Sequence, residues 1–365
     1  MMPRETSESL ESLLHAWDGE DVVMRHDRPT GAWILIAIHS TRLGPAGGGT
    51  RMKPYPSLAD ALRDAQRLAE GMTYKFALSG LPRGGGKAVL AVPEGLPVKA
   101  REGLLRRYGA LVAQLGGLYS TGPDVGTTAQ DMDIIAETGA PYVFGRSLER
   151  GGAGDSGPAT AIGVLAAMRL TCARLFGTED LAGRRVVVQG AGSVGLPLLR
   201  LLSEAGAEAL FSDVNPIAQE RAHAELGLPH VPPETLYDAA CDVFAPCALG
   251  AVLSEVTIPR LRCRAVVGSA NNQLATPEDA DRLAARGILY APDFVVNSGG
   301  AVWLLGRESL GWSPREAEER IADMVRRTLD RVYSLAEERA VTTTAAAQAV
   351  AEERLAAGPT EPTDL

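Results

Sequence analysis

The chain has 365 residues, of which 45% are hydrophobic and 22% charged. That length suits two domains and that composition a globular protein. The net charge of −9 argues against general nucleic-acid or anionic-membrane binding, and no apolar run reads as long enough to span a bilayer. Residues 1–16 carry acidic side chains and no long apolar core, so a cytoplasmic protein without a secretory signal is expected. The four cysteines form no CxxC pair and the five histidines are scattered, which leaves no zinc site or histidine triad to expect.

In chain order, Glu8 to Trp17 has helical apolar spacing. Val22–Met24 and Trp33–His39 read as strands around the turn Arg28–Gly31. Leu43 to Arg51 is glycine-dense and reads as a flexible loop. Ser57, with Asp60 three residues on, caps a helix whose buried stripe runs from Leu58 to Met72, which places Lys75 just beyond it. A second glycine-rich loop, Gly84–Gly86, leads through Lys87 into a strand at Ala88–Val92. A helix over Val98–Leu115 follows, then a short strand ending in Thr121-Gly-Pro-Asp-Val-Gly126, then a helix capped by Thr128 and Asp131. Glycine-rich Tyr142–Ser156 reads as a hinge and Ala159–Phe176 as a helix.

Beyond it, strands and helices alternate, the pattern of a doubly wound parallel sheet. Strands fit Arg185–Gln189, Ala209–Asp213, Asp242–Ala245, Ala265–Gly268 and Ile288–Ala291, and the tail from Pro314 to Leu355 reads as helical with a Pro-rich disordered end. The run Val186–Gly195 is a strand passing through Gly-Ala-Gly-Ser-Val-Gly into a helix, and Asp213 ends the next strand. In that context GxGxxG is a dinucleotide fingerprint. Gly190, Gly192, Ser193, Val194 and Gly195 would cradle a pyrophosphate at the helix N-terminus. Asp213 would accept from the ribose hydroxyls and repel a 2′-phosphate, which favours NAD over NADP. The competing reading is a glycine-rich turn that binds nothing.

The chain holds only four lysines, Lys53, Lys75, Lys87 and Lys99, against thirty-two arginines. An arginine-biased composition explains the shortage but not why two of the four flank one glycine-rich segment. Only lysine offers an ammonium whose pKa falls readily on burial, as a base near neutral pH requires. Asp124 is either a turn residue or a carboxylate that passes protons beside such an amine. Asn271, Asn272 and Asn297 stand at strand C-terminal ends, where open parallel sheets bind ligands, or are ordinary loop residues.

The stretches Gly44-Pro-Ala…Gly-Gly-Thr-Arg51, Gly71-Met-Thr-Tyr-Lys75, Gly84-Gly-Gly-Lys87, Asp124-Val-Gly-Thr-Thr128, Ala245-Pro-Cys-Ala-Leu-Gly250, Ala270-Asn-Asn-Gln273 and Tyr290-Ala-Pro-Asp…Asn297-Ser-Gly-Gly300 together resemble the amino-acid dehydrogenases acting on leucine, valine and phenylalanine, relatives of glutamate dehydrogenase. Gly145–Gly154 and Gly306–Trp312 look most like the phenylalanine-acting members. The resemblance implies an N-terminal α/β catalytic domain over 1–145, completed by C-terminal helices over about 314–365. A Rossmann-type NAD-binding domain would span 146–313, with the active site in the cleft between them. It implies that Lys75 binds the substrate carboxylate with the Gly48–Gly49 backbone, that Lys87 activates water, and that Asp124 handles protons at the substrate nitrogen. Asn271 would hold substrate and cofactor together, and Thr160 would reach the nicotinamide carboxamide. The partners implied are an amino acid, its 2-oxo acid, ammonia and further copies of the chain.

Gly47, Gly122 and Ala301 stand where leucine-acting members carry larger residues, and only Leu304 is larger than its counterpart. A roomier pocket is therefore expected, with phenylalanine as the first substrate and leucine or valine as the alternative. Gly47 is equally readable as a turn residue. A non-catalytic NAD-binding regulator has no need of Lys75, Lys87 and Asp124 together. A glutamate dehydrogenase would want a further lysine, and Lys53 and Lys99 lie in no matching motif.

Overall fold

The computed structural model describes residues 9–359. The segments at 1–8 and 360–365, with the expectations for the signal-free start and the Pro-rich end, lie outside the described residues. The chain divides into two units: residues up to Gly154 with a short piece from Arg354, and Asp155–Glu353.

In the first unit α1 (Leu10–Ala16) precedes the hairpin β1 (Asp21–Asp27) and β2 (Ala32–Ser40). Next come β3 (Ala46–Lys53), α2 (Leu58–Ser79), β4 (Gly84–Ala91), α3 (Val98–Gln114), β5 (Tyr119–Pro123) and α4 (Ala129–Gly139). The five strands lie in the order β1-β2-β4-β3-β5, with β4, β3 and β5 parallel. Side chains alternate between two faces. One face, with Ile34, Ile36, Ala88 and Leu90, packs under α3 and α4. The other, with Leu35, Ala37 and Val89, takes the stripe Ala61, Leu62, Ala65 and Ala69 of α2. Ser57 caps α2 by accepting from the Asp60 N–H at 3.1 Å, and Thr128 with Asp131 forms the expected capping box of α4.

Three expectations do not hold in the fold. The glycine-dense run Leu43–Arg51 is no flexible loop: from Ala46 on it is strand β3, held between β4 and β5. Its neighbours supply the backbone hydrogen bonds that its own side chains give no hint of. The Gly84–Gly86 run is likewise the start of β4. Lys75 lies within α2, because the helix continues through Gly71 to Ser79 and stops only at Gly80, in the left-handed conformation with φ 71°. From the far end of the chain, Arg354 donates to the carbonyls of Ala77 and Leu78 in that last turn, where a cation is favoured.

In the second unit α5 (Gly157–Phe176) leads to β6 (Arg185–Gln189), α6 (Gly195–Glu204), β7 (Glu208–Ser212), α7 (Pro216–Leu226), β8 (Val243–Pro246) and β9 (Ala265–Val266). Then follow α8 (Asp279–Ala285), β10 (Leu289–Tyr290), α9 (Asp293–Val296), α10 (Gly299–Glu308), α11 (Pro314–Arg339) and α12 (Thr343–Ala357). The sheet order is β10-β9-β8-β6-β7, all parallel, as a doubly wound fold requires. By length and composition α5 is apolar enough to cross a membrane, contrary to the expectation that no run is. Its buried residues pack against α6, α10 and α11, which is the position of a core helix. Residues 314–353 group with this unit rather than with the first: the stripe Ala317, Ile321, Val325, Leu329 of α11 is buried, and Tyr333 shares a 2.8 Å hydrogen bond with Thr171 of α5. The unit boundary falls at Gly154–Asp155, inside the glycine-rich stretch and nine residues after the expected 145.

Helices α3 and α4 meet closely at Gly109 of α3, where a Cβ would stand 2.2 Å from the Ile135 carbonyl of α4. Gly109→Ala is therefore expected to lower unfolding free energy by about 1–3 kcal/mol through overpacking. Denaturant unfolding checks it; an unchanged midpoint would show that the helices separate freely.

Candidate active site

The face of the first sheet that α2 covers is built for close approach. A Cβ on Gly85 would stand 2.1 Å from the Thr73 hydroxyl of α2, so the glycine lets the helix lie directly on β4. Lys87 is two residues on and points to the same face, opposite Ala37 in the β2 register. It is only 5% exposed. Its Nζ lies 3.3 Å from Asp124 Oδ2, at the end of β5. Gly49 of β3 closes the third side: a Cβ there would meet the Pro123 carbonyl at 2.7 Å, Asp124 Cβ at 2.8 Å and Lys87 Nζ at 3.3 Å. Lys87, Asp124 and Gly49, scattered in the chain, are thus brought together. The β3–β4 register passes from Gly47–Gly85 to Thr50–Ala88 and skips Gly48 and Gly49. On the opposite face the buried Tyr119 hydroxyl donates to the Gly48 carbonyl at 3.0 Å, fixing that backbone. Lys75, half-buried, is carried to the site's side of the sheet by α2.

Arg51, Asp64 and Tyr55 are the residues whose part in the site the sequence did not reveal. Arg51 Nε donates to Asp124 Oδ2 at 2.8 Å and its Nη1 reaches Asp64 Oδ2 at 3.1 Å. Tyr55 donates to Asp64 at 2.7 Å and Arg67 pairs with its other oxygen at 2.9 Å. Burial pushes the Lys87 amine below the usual lysine range; Asp124 opposes this, Arg51 adds to it, and burial wins. Burial pushes the Asp124 carboxyl up, but the cations Lys87 and Arg51 outweigh it and hold the acid below its ordinary value. The result is a buried amine whose proton is held less tightly than usual beside a carboxylate whose ionised form is favoured.

The second unit carries the dinucleotide cradle, and the residues present fit the expected group. Gly190 has φ 96° in the turn after β6, and a Cβ on it would meet Ala248 at 2.8 Å. Gly192 has nothing within 4 Å, open room beside the loop, whereas a Cβ on Gly195 would stand 1.8 Å from the Gly190 carbonyl. Turn, open approach and tight helix packing are the three uses of the motif's glycines. Ser193 donates to Asp155 at 2.9 Å, and Val194 is the residue before α6. Asp213, just past β7, accepts the Ala191 N–H on Oδ2 and the Asn215 N–H on Oδ1, both at 2.8 Å, so its carboxylate is fixed beside the loop. Thr160, buried in the first turn of α5, donates to the Ser156 carbonyl at 3.0 Å. Asn271 is exposed after β9, and its Oδ1 accepts from Asn297 at 2.9 Å. Ala301 and Leu304 share one face of α10, three residues apart.

The pocket argument is altered at one position. A Cβ on Gly47 would lie 3.3 Å from the Phe76 ring, so the room beside this glycine is already taken by Phe76 of α2. Gly122 pairs in register with Gly49 and so lies next to the Lys87–Asp124 pair. Asp213→Ser is expected to narrow a preference for NAD over NADP by relieving repulsion of the 2′-phosphate. The ratio of kcat/KM for the two cofactors measures this, and equal constants in the unaltered protein would refute the role.

The sequence profile described as "Glu/Leu/Phe/Val dehydrogenase, dimerisation domain" matches residues 23–140. A second, "Glutamate/Leucine/Phenylalanine/Valine dehydrogenase", matches residues 212–360. Leucine dehydrogenase of Geobacillus stearothermophilus is 42% identical over 343 residues, 94% of this chain and 92% of that protein. Valine dehydrogenase of Streptomyces virginiae is 41% identical over 351 residues, 95% of this chain and 97% of that one. The structure of L-tryptophan dehydrogenase from Nostoc punctiforme superposes with TM-score 0.80 at 36% identity, covering 95% of this chain and 98% of that one. With its two-unit α/β architecture, its buried lysine–aspartate pair and a cradle that fits NAD, its cofactor, the chain belongs to the glutamate/leucine/phenylalanine/valine dehydrogenase family of amino-acid dehydrogenases.

Proposed function

We propose that the protein catalyses reversible NAD-dependent oxidative deamination of an apolar L-amino acid, with the branched-chain substrates leucine and valine first. The observation that carries the chemistry is the buried Lys87 Nζ at 3.3 Å from Asp124, an amine with a lowered pKa beside a carboxylate whose pKa is lowered too. NAD, when bound, supplies the acceptor for the hydride that leaves the substrate Cα. Asp124 takes a proton from the substrate nitrogen, which becomes an imine. Neutral Lys87 takes a proton from water as its oxygen bonds to the imino carbon. Asp124 returns its proton to the departing nitrogen, the C–N bond breaks as the hydroxyl at that carbon gives up its proton to solvent, Lys87 sheds its own proton to solvent, and ammonia and a 2-oxo acid remain. Lys75 is the fixed cation for the substrate carboxylate, and the Gly48–Gly49 backbone, skipped by the β4 ladder, is the seat beside it. In the same reading Asn271 and Thr160 orient the amino acid and the carboxamide. Self-association into a homo-oligomer fits the dimerisation description of the first unit's match.

The names and identities of the leucine and valine dehydrogenases support the branched-chain reading. A second reading, an aromatic substrate such as phenylalanine, draws on the tryptophan dehydrogenase likeness and on the small Gly122 and Ala301. NADH formation across a panel of L-amino acids decides between them. Leucine or valine ahead of phenylalanine supports the first; the reverse order supports the second. Gly122→Ala with Ala301→Val should then shift preference toward the smaller substrates by about 1–3 kcal/mol per methylene. No turnover with any apolar amino acid would refute both.

Lys87→Ala is expected to abolish turnover and leave NAD binding nearly intact, since the cradle belongs to the other unit. Activity within about tenfold of the unaltered enzyme, a barrier change of only about 1.4 kcal/mol, would remove Lys87 from the base role. Because Lys87 acts in its neutral form, deamination should rise with pH as the amine loses its proton. The midpoint of the rise should lie below the ordinary lysine value, because burial lowers the pKa. A midpoint at or above the ordinary lysine value would contradict a lowered pKa.

A further inference from the structure

Lys87 Nζ and Arg51 Nε both land on the same atom, Asp124 Oδ2, at 3.3 Å and 2.8 Å. Among the described residues Oδ1 of Asp124 accepts no side-chain or backbone hydrogen bond. The two cations differ in kind. A lysine ammonium gains and loses its proton during a base-catalysed step, whereas a guanidinium stays charged at any pH the protein meets. The arginine is itself anchored. Its Nη1 holds Asp64 of α2 at 3.1 Å, and Asp64 is held in turn by Tyr55 at 2.7 Å and Arg67 at 2.9 Å. Arg51 and Asp64 are both largely buried, with side-chain exposures of 12% and 14%.

We propose that Arg51 is a positioning residue for Asp124: it grips Oδ2 as a permanent counter-ion, so that Oδ1 is presented to the substrate nitrogen whether Lys87 is charged or neutral. This rests on the reading of Asp124 and Lys87 as the proton-handling pair. Without Arg51, each time Lys87 became neutral Asp124 would face a buried position with no cation, and its carboxylate would be free to rotate or to take up a proton. The charged groups that bear on the pair are Arg51 from β3, Lys87 from β4, Asp64 and through it Arg67 from α2, with Tyr55 from the connection between β3 and α2. Arg51 also disfavours the charged form of Lys87, so its removal should make that amine harder to deprotonate.

The test compares Arg51→Gln, Arg51→Lys and Asp124→Asn with the full-length enzyme, reading kcat, KM for the amino acid and the pH dependence of kcat. Arg51→Gln is expected to lower kcat by about 100-fold, the cost of a misplaced catalytic group. KM should change far less, and the rising limb of the profile should move to higher pH. A wild-type pH profile, or a loss seen only in KM, overturns the proposal. If Arg51→Gln does not fold, Arg51→Lys decides. One ammonium cannot span both carboxylates, so kcat should fall while KM holds, and an unchanged kcat overturns the proposal. Asp124→Asn separates the two levels. Turnover within about tenfold of wild type sinks both the catalytic reading and the proposal. An inactive Asp124→Asn beside an unaltered Arg51→Gln sinks the Arg51 proposal alone.

Discussion

A buried charge needs a partner, and the first unit is arranged around that constraint. Asp124 lies largely out of water, with Arg51 and Lys87 on one of its oxygens. Arg51 is shared with Asp64, and Asp64 with Arg67. With Lys87 neutral, these two carboxylates and two guanidiniums balance, so the cluster does not need a charged lysine to be tolerable. That balance and burial act in the same direction on the amine. Breaking any one partner would leave a buried charge unmatched, which costs far more than the pair itself contributes.

The geometry that permits this clustering comes from the absence of side chains. Glycines at 47–49 and 84–86 bring three parallel strands and α2 close enough for an amine, a carboxylate and a guanidinium to share a few ångströms. The cradle of the second unit repeats the logic with different ends: Gly195 gives way to a backbone carbonyl of its own loop, Gly192 to open room for a ligand. In both places the lost Cβ atoms give up packing and entropy that other parts of the unit must offset.

The sequence carried the parts of the structure that depend on neighbours along the chain. The caps at Ser57 and Thr128, the β6 turn, and the five strands of the second sheet within a residue or two are local patterns, and all were legible. Strand β3 was not, because glycines have no strand preference and the pairing that makes it a strand comes from β4 and β5. The extent of α2 was obscured by Gly71, which weakens a helix but here does not end it. Arg51 ends a glycine-rich motif, yet its bond to Asp124 joins residues 73 apart in the chain, a relation that no local spacing reveals. The room read at Gly47 depended on Phe76, which only the folded helix places against it. The tail beyond Pro314 was readable as helix, but its packing partner α5 was not.

The first sheet also has two faces with different duties. Ile34, Ile36, Thr50, Ala88 and Leu90 look toward α3 and α4 and share in the core, while Gly49, Gly85 and Lys87 look toward α2 and share in the chemistry. Neighbouring residues of one strand therefore answer to different selection. On the core side, volume-conserving exchange among aliphatics is a slow drift open to the lineage. On the chemical side a single carbon added at Gly49 would run into Asp124 and Lys87, and one added at Gly85 would run into Thr73 of α2, so neither position admits a side chain. Free exchange in these strands should thus begin only past the glycines, at core-facing positions such as Ala88 and Leu90, because consecutive glycines at 47–49 and 84–86 leave no space for a side chain on either face.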